Sequence, residues 1–158
     1  MPSPKIPLYL ISVLFFMLIL PGGSAVWEHY RGSDFGWVLI GKWFVFWAIG
    51  MRLLVAGIRQ ATKPAFTAKE IFHMSGEESF PVIRELGFAN ICVGLLGILS
   101  LFHSAWHDAA ALTGGLYFGL AGMLHLFKKP DSRNEVIALV SDLYLFLIML
   151  LYLLAVWF

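Results

Sequence analysis

Long apolar runs alternate with short polar connections along the chain. A run of about 20 apolar residues is the length that crosses a hydrocarbon core of roughly 30 Å. Four runs clearly meet this requirement: Gly36 to Ile58, Leu86 to Trp106, Ala109 to Phe127 and Val136 to Phe158. The pattern therefore predicts at least four membrane-spanning helices.

The first apolar run has two interpretations. Ile6 to Leu20 follows Lys5 and precedes the small-residue stretch Pro21 to Ala25, which is the pattern of a secretory signal peptide with its cleavage site. The apolar character resumes at Val26, so a helix over residues 6–27 is also long enough to span a membrane. We favour this retained first helix, a signal anchor, over a cleaved signal peptide.

Composition agrees with a membrane protein and excludes two other classes. The 158 residues are 59% hydrophobic and 13% charged, whereas soluble domains carry about 25% charged residues. The net charge of +1 leaves no positive excess for a nucleic-acid backbone. The lone Cys92 excludes an internal disulfide or a multi-cysteine metal site. We predict an all-α, polytopic membrane helical bundle of five spans, a four-helix core plus the N-terminal helix, forming one domain over residues 1–158.

The positive side chains are distributed unequally between the two sides of such a bundle. One side receives Lys5, Arg59, Lys63, Lys69, Arg84, Lys128, Lys129 and Arg133, and the other only Arg31 and Lys42. Because Lys and Arg in short loops resist translocation, the richer side should be cytoplasmic. The N-terminus is then cytoplasmic and the C-terminus outside. The outer ends of the spans carry the residues of an aromatic belt, namely Trp27, Trp37, Trp106 and Trp157.

The longest polar connection runs over residues 59–84. Thr67 to Glu70 and Ser75 to Glu78 both match the capping-box pattern of a helix start. Between them lies a short amphipathic piece that would rest on the cytoplasmic membrane surface. We interpret the connection as a structured loop on the bilayer, with a gating lid as the alternative.

Several polar residues lie within the predicted spans, where charges are costly and usually have a partner or a purpose. Arg52 lies six residues before the cytoplasmic end of its span. Asp142 lies six residues into the last span, counted from the same side of the membrane. Both should therefore sit roughly 9 Å deep, which predicts an ion pair between them. Glu85, Asn90 and His125 occupy the same half of the bundle, and we expect the outer half to be nearly free of ionisable groups.

Helical periodicity places these groups on inward faces. Arg52 and Arg59 are seven residues apart, as are Glu135 and Asp142, and residues seven apart share a helix face. Small residues would allow close contact between the helices. They are Gly50 and Gly57, Gly87 and Gly94, and Gly115, Gly119 and Gly122.

Three interpretations of this cluster remain open. It could be a salt-bridge clamp that only fixes helix register, or a cytoplasm-facing pocket for a small amphipathic or anionic ligand. In the pocket, Arg52 and Arg59 would contact an anion, with Glu85 and Asp142 as counter-charges or proton carriers. In the third interpretation, His125 or Glu85 acts as an acid or base. The candidate ligand-binding residues are Arg52, Arg59, Glu85, Asn90, His125 and Asp142.

No enzyme signature, cofactor motif or metal site stands out in the sequence. His103 and His107 are four residues apart, but the turn between them is expected to end the helix. Catalytic residues and cofactors therefore stay unassigned.

The run from Arg52 to Gln60, the stretch from Arg84 to Asn90 and the glycine-rich fourth helix resemble small bacterial integral-membrane proteins of the DoxX-like kind. The resemblance covers roughly Lys42 to Tyr152 and implies a four-helix core in the bacterial inner membrane. From this resemblance we expect Arg52, Glu85 and Asn90 to be pocket residues. The long connection departs from the short loop expected of that group.

Some DoxX-like proteins are associated with quinone-linked oxidation of sulfur compounds or with membrane redox complexes. The resemblance thus implies quinone, or another membrane subunit, as a partner beside the lipid bilayer. We expect a polar pocket that binds a small ligand or partner, in an accessory subunit of a membrane redox complex. The alternative is a membrane-embedded enzyme that acts on a quinone-like or lipophilic substrate.

Overall fold

The computed structural model describes residues 8–72, 74 and 76–158. Five long helices account for most of them: α1 Leu8–Tyr30, α2 Trp37–Thr62, α3 Phe80–Leu99, α4 His107–Lys128 and α5 Arg133–Trp157. Short 3₁₀ turns, Glu77–Ser79 and Ser104–Trp106, precede α3 and α4. Each of the five helical stretches is long and apolar enough to cross a membrane. The predicted all-α bundle of five spans is confirmed.

The first helix contains a π-helical turn, Phe15–Ile19, directly before Pro21. Proline lacks an N–H group and crowds the preceding turn, and such strain is commonly absorbed by a wider helical turn. The helix nevertheless continues to Tyr30 and buries Met17 and Ala25 against the rest of the bundle. Residues 6 and 7 of the predicted first helix lie outside the described residues.

Glycines bring α2 and α3 into direct backbone contact. A Cβ atom at Gly57 would lie 2.6 Å from the Gly87 carbonyl oxygen, and one at Gly94 would lie 2.6 Å from the Leu54 backbone nitrogen. Any side chain there would push the helices apart. The predicted close approach of these small residues is therefore confirmed for this pair of helices.

The helices α4 and α5 pack in the same manner. A Cβ atom at Gly115 would lie 2.8 Å from Met149, and one at Gly119 would lie 2.6 Å from the Phe146 ring. Met149 is fully buried, so α5 fills the groove that these glycines leave on α4. The core between the helices consists of Val45, Ala48, Ile49, Ala110, Ala111, Phe118, Leu145 and Met149, among others.

The two ends of the bundle differ in composition. We call the end where α2 and α4 terminate the basic end, because it carries Arg59, Lys63, Lys69, Arg84, Lys128, Lys129 and Arg133. Lys5 lies outside the described residues. The opposite end is the tryptophan end, where Trp27, Trp37, Trp106 and Trp157 lie on the surface.

The connection between α2 and α3 is shorter than the predicted range 59–84, because α2 continues to Thr62 and α3 begins at Phe80. The predicted capping box at Thr67 is wrong. Thr67 is buried and starts a short π-helical turn, Thr67–Ile71, with no side-chain cap. The second predicted box begins at Ser75, which lies outside the described residues.

A complete capping box occurs instead at the start of α5. The Ser132 hydroxyl accepts a hydrogen bond from the Glu135 backbone N–H at 3.2 Å, and Glu135 Oε2 accepts from the Ser132 N–H at 3.3 Å. The spacing Ser-x-x-Glu before an apolar run is visible in the sequence and predicts this helix start.

Candidate functional site

A cavity of about 670 Å³ occupies the basic-end half of the bundle. All five helices and the connection after α2 contribute to its wall, which is mostly apolar. Its polar lining residues are Tyr9, Ser12, Arg52, Arg59, Gln60, Thr67, Asn90, Tyr117, His125 and Asp142. Five of the six candidate residues from the sequence therefore lie on one cavity.

Arg52 and Asp142 form the predicted ion pair across this cavity. Arg52 Nη1 lies 3.6 Å from Asp142 Oδ1, and the two side chains are only 13% and 9% exposed. Arg52 Nη2 also donates a hydrogen bond to the Ser141 hydroxyl at 3.5 Å. The predicted ion pair between Arg52 and Asp142 is therefore confirmed.

A π-helical turn, Val45–Met51, immediately precedes Arg52 in α2. A π turn holds an extra residue, and each residue of a helix rotates the following side chains by about 100°. The turn therefore sets the face of α2 on which Arg52 lies. It packs against the π-helical turn of α1, so two irregular segments meet beside the cavity.

The buried guanidinium has aromatic neighbours. Its central carbon lies 5.0 Å from the centre of the Phe118 ring, and the Tyr9 side chain interacts with Arg52 from α1. Its Nη1 atom is buried and has no hydrogen-bond partner in the described part of the chain. A buried donor without a partner costs about 1–3 kcal/mol, and more when it is charged.

A second polar group lies on α2 and α3. Asn90 Nδ2 donates a hydrogen bond to Gln60 Oε1 at 2.7 Å, and Asn90 is 3% exposed. Tyr117 of α4 interacts with the same asparagine. Gln60 and Tyr117 were not among the sequence candidates. Both lie eight residues from a candidate, Arg52 or His125, and this helical spacing is the signal that could have found them.

The connection after α2 lies over the cavity. The Arg59 guanidinium stacks 3.9 Å from the centre of the Phe66 ring. Phe66, Thr67, Ile71 and Phe72 all line the cavity, and the segment contacts both α3 and α5. The connection therefore covers the basic end of the cavity rather than resting beside the bundle.

Glu85 is the one candidate that the structure does not bring to the cavity. It is exposed on α3, whereas Asn90 on the same helix is buried. Five residues turn a helix by about 500°, so the two side chains point about 140° apart. Counting depth along a helix says nothing about direction around it. A ligand-binding role of Glu85 stays a prediction without support from this placement.

Glu135 also differs from the predicted inward stripe. Its carboxylate accepts a hydrogen bond from the Asp131 backbone N–H at 2.7 Å as part of the cap of α5. Asp142, seven residues later, faces the cavity. A residue in the first turn of a helix, such as Glu135, can cap the helix instead of facing the side that periodicity predicts.

The expectation that the outer half is nearly free of ionisable groups is wrong. At the tryptophan end, Lys42 Nζ lies 2.8 Å from Glu28 Oε2, and the Trp43 indole N–H donates to the same oxygen at 2.8 Å. These contacts tie α1 to α2. Glu28 lies two residues before the end of α1. The first helix predicted from the sequence ends at residue 27 and leaves Glu28 in a loop.

A matching contact ties α4 to α5 at the same end. Asp108 accepts hydrogen bonds from the Tyr152 hydroxyl at 2.8 Å and from the Trp157 indole N–H at 3.0 Å. Tryptophan and tyrosine donors thus satisfy Glu28 and Asp108. The arrangement holds neighbouring helices together.

Among the described residues, no group of three or more His, Cys, Asp or Glu side chains is placed to hold a metal ion. The chemistry that the cavity offers is therefore that of its own side chains: two guanidinium groups, one carboxylate, an imidazole, amides and phenols. These groups can bind an anion or hold a proton.

Comparison with known proteins adds no assignment. No protein-family model, curated protein or solved structure matches the chain.

Proposed function

We propose that the protein binds a small ligand in the basic-end cavity and that this cavity faces the cytoplasm. Five apolar helices are compatible with an integral membrane protein. The observation that carries the proposal is the Arg52 guanidinium, which lines a cavity of about 670 Å³ and whose buried Nη1 makes an ion pair with Asp142 but no hydrogen bond in the described part of the chain. Ligand sites typically measure roughly 300–1,000 Å³ and combine apolar walls with a few polar groups.

If the ion pair of Arg52 and Asp142 served only to hold the helices together, we would expect side chains to pack tightly around it. Buried ion pairs that serve only stability are held by short contacts and additional hydrogen bonds, since desolvation costs several kcal/mol per ion. The 3.6 Å contact between Arg52 and Asp142 leaves one guanidinium nitrogen without a hydrogen bond. A ligand with an acceptor group would complete this shell.

The orientation follows from the positive charges of the basic end. Cytoplasmic loops carry the excess of Lys and Arg, and seven of these residues lie at that end within the described chain: Arg59, Lys63, Lys69, Arg84, Lys128, Lys129 and Arg133. We accordingly propose a bacterial inner-membrane protein with the N-terminus in the cytoplasm and the C-terminus outside.

Native mass spectrometry of the full chain in lipid nanodiscs tests ligand binding. We expect a bound small molecule in the wild type and its loss in Ala121→Phe, because Ala121 lines the cavity and a phenyl ring would fill part of it. Ala89→Phe is the matched control, since Ala89 is exposed on α3 and does not line the cavity. Equal spectra for both variants and the wild type would contradict the proposal.

The resemblance to DoxX-like proteins supports a role as an accessory subunit of a membrane redox complex, and this too is a proposal. Its test is affinity purification of the full chain from its native membrane in mild detergent. A stoichiometric second membrane subunit is the expected result. Purification of the chain alone, under conditions that preserve other membrane complexes, would contradict it.

One contact favours a second candidate, a membrane-embedded enzyme that acts on a quinone-like or lipophilic substrate. His125 interacts electrostatically with Asp142 inside the cavity, which provides a proton carrier beside the ion pair. In that case His125→Gln would abolish turnover and retain the bound small molecule. A binding module would show no turnover to lose.

A further inference from the structure

We infer that the cavity ligand is a single-chain carboxylate, with its head at Arg52 and its hydrocarbon chain along α4. This inference rests on the proposed function, because it names the class of ligand for the same cavity. Three observations carry it: the unsatisfied hydrogen-bond donors of Arg52, the net charge of the cavity, and an apolar stripe that the bundle leaves uncovered.

The first observation concerns the head group. A guanidinium presents five N–H donors in a planar fork that matches the two oxygens of a carboxylate. The hydrogen bond from Arg52 to Ser141 is 3.5 Å long, and Nη1 makes none. Asp142 approaches only to 3.6 Å and does not form a paired, bidentate contact. A second carboxylate can therefore bind the same guanidinium.

The second observation is charge. Arg52 and Arg59 line the cavity, and Asp142 is the one acid among its lining residues. The two guanidinium groups and the one carboxylate together leave one net positive charge, His125 not counted. A monoanion balances this charge, whereas a phosphate monoester with about two negative charges would overcompensate it in a site of low dielectric constant. A carboxylate satisfies both the charge and the planar donor fork.

The third observation is the apolar surface that faces the cavity. Leu120 and Leu124 are four residues apart on α4, and both line the cavity although they are 63% and 49% exposed. Val55 of α2 also lines it and is 47% exposed. The hydrocarbon chain of a ligand can lie against this surface, because hydrocarbon chains are as apolar as leucine side chains.

These groups lie on one surface in an order that fits one molecule. Tyr117, Leu120 and Leu124 follow the helical spacing of a single face of α4, and Phe118 of the same helix lies against the Arg52 guanidinium. A carboxylate at Arg52 can thus extend its chain along this face towards the basic end. The connection that carries Phe66 and Phe72 then covers the far end of the chain.

The test uses the full chain in phosphatidylcholine nanodiscs and a photoreactive dodecanoate with a diazirine on its chain. The matched probe is the corresponding dodecanol, which has the same chain and no charge. We expect the dodecanoate to label residues of the α4 face, and the dodecanol to label them at least about tenfold less, the usual effect of losing a charged hydrogen bond. Mass spectrometry of the labelled peptides gives the positions.

Two variants distinguish a head-group site from a structural ion pair. Asp142→Asn removes the competing carboxylate and should increase labelling by the dodecanoate. Arg52→Gln combined with Asp142→Asn should reduce it about tenfold or more, to the level of the dodecanol. If Asp142→Asn does not fold, the comparison of the two probes on the wild type decides the question alone.

The outcomes separate this inference from the proposed function. Equal labelling by both probes, or labelling only at lipid-facing residues such as Val140, overturns the carboxylate assignment. A different small molecule that is lost in Ala121→Phe would then preserve the proposed function. If no small molecule is retained and neither probe labels the cavity, both proposals fail.

Discussion

Arg52 and Asp142 meet inside the bundle with 3.6 Å between Nη1 and Oδ1, although they come from α2 and α5. Both side chains are almost entirely shielded from the surface. Each charge therefore depends on the other for stabilisation, and the hydrophobic surroundings make the loss of either one costly. This mutual dependence leads to the first prediction.

Removing one member of the pair should destabilise the protein more than removing both. Arg52→Gln leaves the Asp142 carboxylate buried without its partner, which costs about 3–5 kcal/mol of unfolding free energy. The double variant with Asp142→Asn should recover a large part of this loss. Thermal unfolding of the detergent-solubilised chain gives the stability of the single variant and of the double variant. Strictly additive effects would show that the two charges are not coupled.

The contact between α2 and α3 predicts a strong effect of a single methyl group. Gly94→Ala would place a Cβ atom 2.6 Å from the Leu54 backbone nitrogen and 2.9 Å from the Gly50 carbonyl oxygen. Since backbone cannot yield without moving a helix, we expect a loss of about 1–3 kcal/mol in unfolding free energy.

Gly23→Ala provides the control for this prediction. Gly23 lies inside α1, and a Cβ atom there would meet nothing within 4 Å. Alanine in a helix interior is favoured over glycine by roughly 0.5–1 kcal/mol, so this variant should be neutral or slightly more stable. Thermal unfolding midpoints of the two variants are compared. A similar loss in both would mean that the close approach at Gly94 is not its cause.

The fold and the level of the ion pair along the bundle can be predicted from the linear sequence. Span lengths come from apolar runs, and the level of Arg52 and Asp142 comes from counting residues from the ends of their helices. Direction around a helix requires more. Glu85 lies at the right depth and points outwards, because the contact face of α3 is fixed by Gly87 and Gly94 against α2.

Other features depend on interactions that no pattern in the sequence specifies. The π-helical turn before Arg52 changes the helical register, and simple periodicity assumes a constant one. The cover formed by Phe66 and Phe72 depends on how the connection folds back, for which amphipathic spacing gives only a surface preference. The Glu28 to Lys42 contact was missed because both residues lie near span ends.

The proposed orientation predicts which engineered cysteines are accessible from each side. In a Cys92→Ser background, Lys69→Cys should react with a membrane-impermeant maleimide only in inverted vesicles. Asp34→Cys, in the loop between α1 and α2, should react only in intact spheroplasts. Both positions are exposed, so access depends on the side of the membrane alone. The reverse pattern would place the basic end outside.

The contact between Arg59 and Phe66 predicts how the connection controls access to the cavity. Cation–π contacts contribute about 0.5–2 kcal/mol, so Phe66→Ala should open the connection and speed the labelling of Ala138→Cys, a buried position that lines the cavity, by roughly two- to thirtyfold. The background again carries Cys92→Ser, and maleimide labelling is followed over time.

Phe88→Ala is the control for this experiment, because Phe88 is 55% exposed on α3 and does not line the cavity. It should leave the labelling rate of Ala138→Cys unchanged. An unchanged rate in Phe66→Ala would show that the connection does not restrict entry from the basic end.

The glycine contacts between α2 and α3 have a mechanical consequence for the whole bundle. Two backbones that touch at Gly57 and Gly87 have no side-chain layer to compress, so these helices move as one stiff plate. Arg52 is fixed to this plate. A change in the cavity volume would then have to come from the walls outside this pair of helices.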